Sequence, residues 1–404
     1  MSIRLRKVGN RMEYTFNSVF SSATFPEYTY VNRKSTGDFT YEERLKMALE
    51  QKGYLIVIDG PSKIGKTVLC EAVIGKDKLV AMTGNDFKGE SDFWAVVAKK
   101  VEIPLRGEVH NASMAGNKDE QISTGYISKY QTNKERVLNY FIENQKVLLL
   151  DDFHYADVKI QHDAACQLKE AIRYNLKAIV VSLPHRVDET VKNNPDLQGR
   201  IMNITMKPWK EEELAEIPEK GFPMLGVKVS PELIKRLVIE CIDSPQTMQS
   251  ICQNVGYYIS EDKVLRDENI TKSCYLKADY LTYQELYGKL LAGRPSRGQK
   301  RTIYCLKGGM EVDGYGLVLE AIKRDPPLKA ITISEIFERA KGILDMEKTA
   351  SKLTTQTITS TMNAMFTILE ESGYEADRVF DWKENVLTFR EPLFLFYLRW
   401  RRDE

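Results

Sequence analysis

Short apolar runs alternate with segments of helical character through the first half of the chain. The runs are continuous rather than alternating, which is typical of parallel strands that are buried on both faces. We predict strands at residues 54–58, 79–82, 147–150, 177–182 and 201–206. Helix-like segments separate these runs, and this order favours a parallel sheet covered on both faces. The pattern therefore predicts an α/β core over residues 41–208, after a polar lead-in at residues 1–40.

The spacing of apolar residues becomes helical after Pro208. Helices are predicted at residues 211–217, 231–242 and 247–259. Together they predict a small helical lid over residues 209–262. Residues 263–310 contain a basic run from Arg294 to Arg301, and we interpret this stretch as a linker. Residues 105–132 are polar and rich in Gly, Asn and Ser, which favours an exposed loop.

Residues 311–404 follow a third pattern, which predicts three helices, a hairpin and a terminal helix. The predicted elements are helices at 315–323, 332–341 and 354–371, strands at 379–381 and 386–389, and a helix from residue 392. Thr332 and Glu335 form a capping box at the start of the second helix. This order is typical of an α+β winged-helix domain.

The third helix of this domain would offer polar side chains to DNA bases. These side chains belong to Gln356, Thr357, Ser360, Thr361 and Asn363. Charge is nearly balanced in this part of the chain, whereas phosphate neutralisation normally supplies most of the affinity for DNA. Winged helices also bind proteins, so both kinds of partner stay open.

One motif at the end of the first strand carries candidate chemistry. The chain reads Gly60-Pro61-Ser62-Lys63-Ile64-Gly65-Lys66-Thr67, which matches the pattern G-x-x-x-x-G-K-[ST]. With a strand before it and a helix after it, backbone N–H groups and the positive helix end would face a phosphate. Lys66 would reach the β- and γ-phosphates of ATP, and Thr67 would ligate Mg²⁺. The alternative is a chance match in a surface loop, and both flanks argue against it.

An acidic pair, Asp151 and Asp152, follows the strand predicted at residues 147–150. Open α/β sheets bind ligands at this carboxyl end of their strands. We assign Asp151 to Mg²⁺, directly or through water, and Asp152 to polarising the attacking water. The alternative for Asp152 is a cap on the next turn. Because aspartate reaches less far than glutamate, both a slow switch and a motor stay open.

Composition narrows the class of protein only in part. The 404 residues include 58 Lys and Arg against 57 Asp and Glu, and a net charge of +1 gives no global attraction to nucleic acid or anionic membrane. Six cysteines without a C-x-x-C pair favour a reducing compartment and argue against structural zinc. No signal peptide or membrane-spanning run is evident. We therefore expect a cytoplasmic protein with no membrane partner.

These motifs give the chain a resemblance to the AAA+/STAND class of P-loop ATPases. Residues 151–157 read Asp-Asp-Phe-His-Tyr-Ala-Asp and resemble the D-D-x-H-x-A-D stretch of STAND proteins, with Tyr155 where many carry Trp. With the winged-helix order, the resemblance extends to archaeal and bacterial STAND ATPases and to archaeal replication initiators. It covers residues 28–404 and implies an AAA+-like core.

The resemblance implies further site residues. Ser182 matches the sensor-1 position, where a polar side chain reads the γ-phosphate, and Arg186 is similar to an arginine that follows this strand. Arg200 directly precedes the last core strand, as arginine fingers do in clamp-loader-like members. Residues 244–247 read Ser-Pro-Gln-Thr, so the sensor-2 arginine of many relatives is missing. The alternatives are surface arginines and a Ser182 hydroxyl bonded to backbone.

The function that the resemblance implies is an ATP- and Mg²⁺-dependent switch. Its nucleotide state would control assembly of a homo-oligomer, in which Arg200 acts on an adjacent subunit. The winged helix would pass that state to DNA or to a protein effector, and a role in bacterial antiviral defence fits. One alternative is a DNA-binding AAA+ initiator or transposition ATPase that ATP locks around DNA. Another is a scaffold that holds nucleotide without turnover.

Overall fold

The computed structural model describes residues 14–103, 133–153, 156–182, 199–281, 283–295, 300–349, 353–372 and 379–402, except for the side chains of Val158 and Ser182. The loop predicted at residues 105–132, Tyr155 and Arg186 lie outside the described residues. Contacts divide the chain into two units. The sheet unit contains residues 32–61 and 65–207, and the helical unit contains residues 1–31, 62–64 and 208–404.

Helices and strands alternate through the sheet unit, and helices predominate in the helical unit. The helices are α1 Phe16–Val19, α2 Tyr41–Glu50, α3 Lys66–Ile74, α4 Phe93–Lys100, α5 Asn133–Glu143, α6 Val158–Arg173, α7 Glu211–Met224, α8 Pro231–Glu240, α9 Pro245–Val255, α10 Asp267–Asp279, α11 Gln284–Ala292, α12 Gly314–Ile322, α13 Ile333–Ile343, α14 Thr355–Glu371 and α15 Pro392–Trp400. The strands are β1 Leu55–Asp59, β2 Leu79–Thr83, β3 Val147–Asp151, β4 Lys177–Ser182, β5 Ile201–Thr205, β6 Tyr304–Cys305, β7 Glu311–Val312, β8 Ala330–Thr332, β9 Phe380–Lys383 and β10 Val386–Phe389.

The sheet unit is built around five parallel strands in the order β2-β3-β4-β1-β5. The first four residues of β1 and of β3 are buried, as continuous apolar runs require. Side chains of α4, α5 and α6 join the same apolar core. The predicted α/β fold with a parallel sheet is therefore confirmed.

The acids that end β1 and β3 lie at the same edge of the sheet. Strand β4 runs between them, with Asp59 opposite Ser182 and Asp151 opposite Val181. Two strand spacings therefore separate the backbones of Asp59 and Asp151, roughly 10 Å. This carboxyl edge is also where the chain turns from β1 into α3.

Residues 263–310 of the helical unit, where the sequence predicts a linker, contain helices. Helices α10 and α11 bury Ile270, Cys274 and Leu286 completely, so this stretch contributes to the apolar core of its unit. Further along, β8, β10 and β9 form an antiparallel sheet in that order. Helices α12, α13, α14 and α15 belong to the same part of the sequence. No helix in the described ranges is long and apolar enough to cross a membrane.

Helix α7 continues past the point where the sequence predicts its end. The predicted end at Ile217, before Pro218, is wrong, because the helix runs on to Met224 and includes Pro218 and Pro223. Proline inside a helix costs about 3 kcal/mol. Complete burial of Leu214 and Phe222 on this helix offsets that cost.

Two helical glycines of the helical unit allow a matched test of this packing. A methyl group at Gly221 would overlap the ring of Phe20, which is fully buried, whereas a methyl group at exposed Gly288 would meet nothing within 4 Å. We expect Gly221→Ala to destabilise the fold by about 1–3 kcal/mol, as overpacking does. Gly288→Ala should stabilise it by up to about 1 kcal/mol through helix propensity. Urea unfolding midpoints measure both, and a Gly221→Ala protein as stable as the parent would contradict the packing.

Candidate nucleotide and magnesium site

The loop between β1 and α3 has the backbone geometry that a phosphate cradle needs. Gly65 stands at the N-cap of α3 with φ +94°, and Lys63 has φ +59°. Glycine is favoured at such a left-handed position because it has no Cβ. It also has no side chain to cap the helix, so the N–H groups of the first turn stay available to an anion.

The ammonium group of Lys66 lies inside the loop. Its Nζ donates hydrogen bonds to the carbonyl oxygens of Gly60 at 3.0 Å and of Pro61 at 2.7 Å. The residue is only 8% exposed. Burial lowers the pKa of this lysine, and the nearby carboxylates of Asp151, Asp152 and Asp59 oppose that shift. A cation is thus held where the triphosphate of a bound nucleotide would lie.

The two motifs meet through Thr67 and Asp151. The Thr67 hydroxyl donates to Asp151 Oδ2 at 2.5 Å, although 84 positions separate them in the chain. Burial raises the pKa of Asp151, the Thr67 hydrogen bond acts against this, and the Asp152 charge adds to it. A hydroxyl and a carboxylate in contact are the oxygen ligands that Mg²⁺ uses beside a phosphate.

Asp59 is a site residue that the sequence reasoning missed. Its Oδ1 is buried and has no hydrogen-bond partner among the described residues. A buried carboxylate oxygen without a partner is costly unless a ligand, ion or water satisfies it. Its signal in the sequence is an acid that ends the first apolar run, directly before Gly60.

These residues fit a magnesium–nucleotide complex. Within the described ranges no group of three or more His, Cys, Asp and Glu side chains is placed to hold a metal. Mg²⁺ commonly takes one or two protein oxygens and completes its shell with phosphate and water. Thr67 and Asp151 would supply the protein oxygens, and the unpaired Asp59 Oδ1 would accept from metal-bound water. When bound, the metal would neutralise charge on the phosphates.

Asp152 lies beside the pair but differs from it in environment. Its side chain is exposed, and its backbone is left-handed with φ +47°, which is uncommon for a residue other than glycine. The alternative of a cap on the next turn stays open, because that turn begins at Phe153 and residues 154–155 lie outside the described residues. The carboxylate is solvent-accessible and directly follows Asp151 in the chain.

Ser182 and Arg200 lie in different places relative to this edge. Ser182 ends β4 directly opposite Asp59, at the carboxyl edge. Arg200 precedes β5, its carbonyl oxygen accepts from the N–H of Leu55 at 2.8 Å, and its guanidinium lies beside Gly53. Both neighbours are at the opposite end of β1, so Arg200 does not reach the candidate nucleotide site of its own chain.

Comparisons with known proteins add a likeness of fold. No protein-family model matches the sequence, and no curated protein matches it. Cdc6p from Pyrobaculum aerophilum is similar at 13% identity and a TM-score of 0.42, over 95% of this chain and 96% of that one. A Walker-type ATPase of Pyrococcus abyssi is 13% identical with a TM-score of 0.49, over 91% and 98%. The Orc1 protein of Aeropyrum pernix, solved with DNA, is 10% identical with a TM-score of 0.43, over 93% and 94%. Likeness at this level carries no functional argument.

Proposed function

We propose that this chain is a Mg²⁺-dependent ATPase that acts as a switch. The observation that carries the proposal is the Thr67–Asp151 hydrogen bond, because it brings the phosphate-binding loop and the acidic strand end together at one point. Lys66 would bind the β- and γ-phosphates, while Thr67 and Asp151 hold the metal. Phosphoryl transfer needs positioning and charge stabilisation above all, and this arrangement offers both.

The remaining roles follow from position. Exposed Asp152 would orient the attacking water, and Ser182 would contact the γ-phosphate from the end of β4. Arg200 lies at the far end of β1 from its own site, which supports action on the nucleotide of an adjacent subunit. ATP would then favour a homo-oligomer, and hydrolysis would release it.

The output of the switch would pass through a winged helix at residues 311–404. Helices α12, α13 and α14 followed by the β9–β10 hairpin support this assignment. Gln356 and Ser360 are exposed on α14, whereas Thr361 is buried and bonds to the Thr357 carbonyl. Asn363 accepts a hydrogen bond from the Trp382 indole. The surface open to DNA or a protein effector is thus narrower than the sequence predicts.

ATP turnover with and without DNA tests this function. Lys66→Ala serves as the blank, and oligomer size in Mg²⁺-ATP and Mg²⁺-ADP is measured in parallel. Slow turnover, together with oligomer assembly in Mg²⁺-ATP but not in Mg²⁺-ADP, supports the switch, whether it acts in antiviral defence or in another setting. Turnover that rises several-fold with DNA supports the initiator instead. Tight ATP binding without any turnover supports the scaffold.

Mixing two inactive variants tests the trans role of Arg200. We expect Arg200→Ala to keep its affinity for Mg²⁺-ATP but lose about 10³-fold in turnover, as arginine-finger variants do. Lys66→Ala subunits retain Arg200, so mixed oligomers of the two variants should regain turnover. Full turnover of Arg200→Ala alone would contradict the role, and so would mixed oligomers that stay inactive.

A further inference from the structure

A second cleft lies in the sheet unit at the edge opposite the nucleotide site, where the strands begin. It has a volume of about 740 Å³ and is lined by the ends of helices and the starts of β1, β3 and β4. Four lysines line it: Lys52, Lys78, Lys146 and Lys177. Glu50 contributes the one carboxylate among the described lining residues.

Ion pairs do not neutralise the positive charge of this cleft within the described part of the chain. In the described ranges none of the four ammonium groups forms an ion pair. Lys146 Nζ donates to the backbone carbonyl of Asp77, and Lys78 Nζ lies 3.4 Å from Gln145 Oε1. Neutral oxygens orient an ammonium group but leave its charge in place.

Helix ends account for only part of this charge. Helices α2, α3, α5 and α6 end toward the cleft, and each helix C-terminus carries roughly half a negative charge within its last turn. The positive charge of the four lysines exceeds the combined negative charge of these helix ends and Glu50.

Two closed turns border the cleft. Gln145 and Asn175 lie two residues beyond the ends of α5 and α6 in left-handed conformations, with φ +51° and +68°. The next N–H groups bond back into each helix, Lys146 to Phe141 at 2.8 Å and Leu176 to Ala171 at 3.2 Å. Such closed turns fix the backbone of the residue that follows, so the backbone of Lys146 is positioned before any ligand arrives.

One exposed aromatic ring lines the cleft together with these cations. It belongs to Tyr54, which is 39% exposed. Cations that follow a phosphate backbone, combined with aromatic rings on which bases stack, are the two components of single-strand binding surfaces.

We propose that this cleft binds a single-stranded nucleic acid, with lysines on its phosphates and tyrosine on a base. The site lies at the edge of the sheet opposite the candidate nucleotide site. It requires neither ATP binding nor hydrolysis, so it can fail or succeed independently of the function proposed above.

Fluorescence anisotropy with a labelled oligothymidylate in low salt tests the proposal. The paired change Lys52→Glu and Lys177→Glu should weaken binding at least about tenfold and lower the salt slope by about 0.7 for each phosphate that is no longer neutralised. Tyr54→Ala should weaken binding roughly tenfold while Tyr54→Phe binds like the parent. The control pair Lys235→Glu and Lys272→Glu makes the same change in net charge at exposed positions of the helical unit.

Each outcome decides the matter. Weaker affinity in the cleft variants but not in the control pair, with Mg²⁺-ATP binding unchanged, supports the site. Lys66→Ala should bind the oligonucleotide like the parent, which separates this site from the nucleotide site. Equal affinity of cleft and control variants would overturn the proposal, as would a parent that binds no oligonucleotide. Displacement by a free mononucleotide as effective as by the oligonucleotide would also overturn it, because the ligand would then be a single nucleotide.

Discussion

Lys66→Ala is expected to abolish detectable ATP turnover and to weaken Mg²⁺-ATP binding by about 10²-fold or more. The lysine is nearly buried, and its ammonium group donates hydrogen bonds to the carbonyl oxygens of Gly60 and Pro61 in the phosphate-binding loop. Removing a preorganised charge-stabilising donor from a site with little water costs about 10²–10³ in rate. Isothermal titration with Mg²⁺-ATP and a phosphate-release assay measure the two effects.

The control for this variant is Lys76→Ala. Lys76 is an exposed lysine just beyond α3, so its removal changes net charge equally without touching the loop. It should keep the affinity and turnover of the parent. Circular dichroism should show that both variants are folded. Lys66→Ala protein that binds Mg²⁺-ATP with undiminished affinity would remove the basis for the nucleotide site.

Much of the sheet unit could be predicted because its signals are local. A parallel strand buried on both faces is a continuous apolar run, and the phosphate-binding loop is one uninterrupted motif. The meeting of Thr67 with Asp151 also follows, since parallel strands place their carboxyl ends at one edge. The register and the order of the strands then complete the sheet that the apolar runs predict.

Other features depend on contacts that no local pattern carries. The unpaired oxygen of Asp59 becomes visible only when its surroundings are known. Helix α7 passes through Pro218 and Pro223 because its neighbours bury Leu214 and Phe222, which local propensity does not register. The lysine cleft joins residues from four separate turns. Each of these features arises from tertiary contacts. Such contacts either outweigh the local preference of the sequence or leave no trace in the spacing of its residues.

A buried ionic cluster in the helical unit is the clearest of these long-range features. Glu240 ends α8 and is fully buried. It accepts from Arg399 Nε at 2.6 Å and Nη2 at 2.7 Å, and from the Trp400 indole at 2.8 Å, across about 160 positions of sequence. Arg236 forms a further ion pair with it at 2.9 Å. One buried carboxylate therefore pairs with two arginines, Arg399 of α15 and Arg236 of α8.

Glu240→Gln is expected to destabilise the helical unit by about 3–5 kcal/mol. The amide keeps the shape of the side chain but removes the charge, so among the described residues buried Arg399 keeps only the exposed Asp325 as an anionic partner. Losing one partner of a buried ion pair costs this much because the other charge stays desolvated. Urea unfolding followed by tryptophan fluorescence measures the loss, because Trp400 of the cluster is one of the four tryptophans of the chain.

Two control variants accompany this prediction. Glu268→Gln makes the same chemical change at an exposed position of α10, where the Lys272 pair is 3.9 Å apart, and should cost less than about 1 kcal/mol. Glu240→Leu combined with Arg399→Leu removes both charges and should be less destabilised than Glu240→Gln alone. If Glu240→Gln unfolds at the same urea concentration as the parent, the buried charge of Arg399 has another effective partner, and the cluster does not stabilise the helical unit.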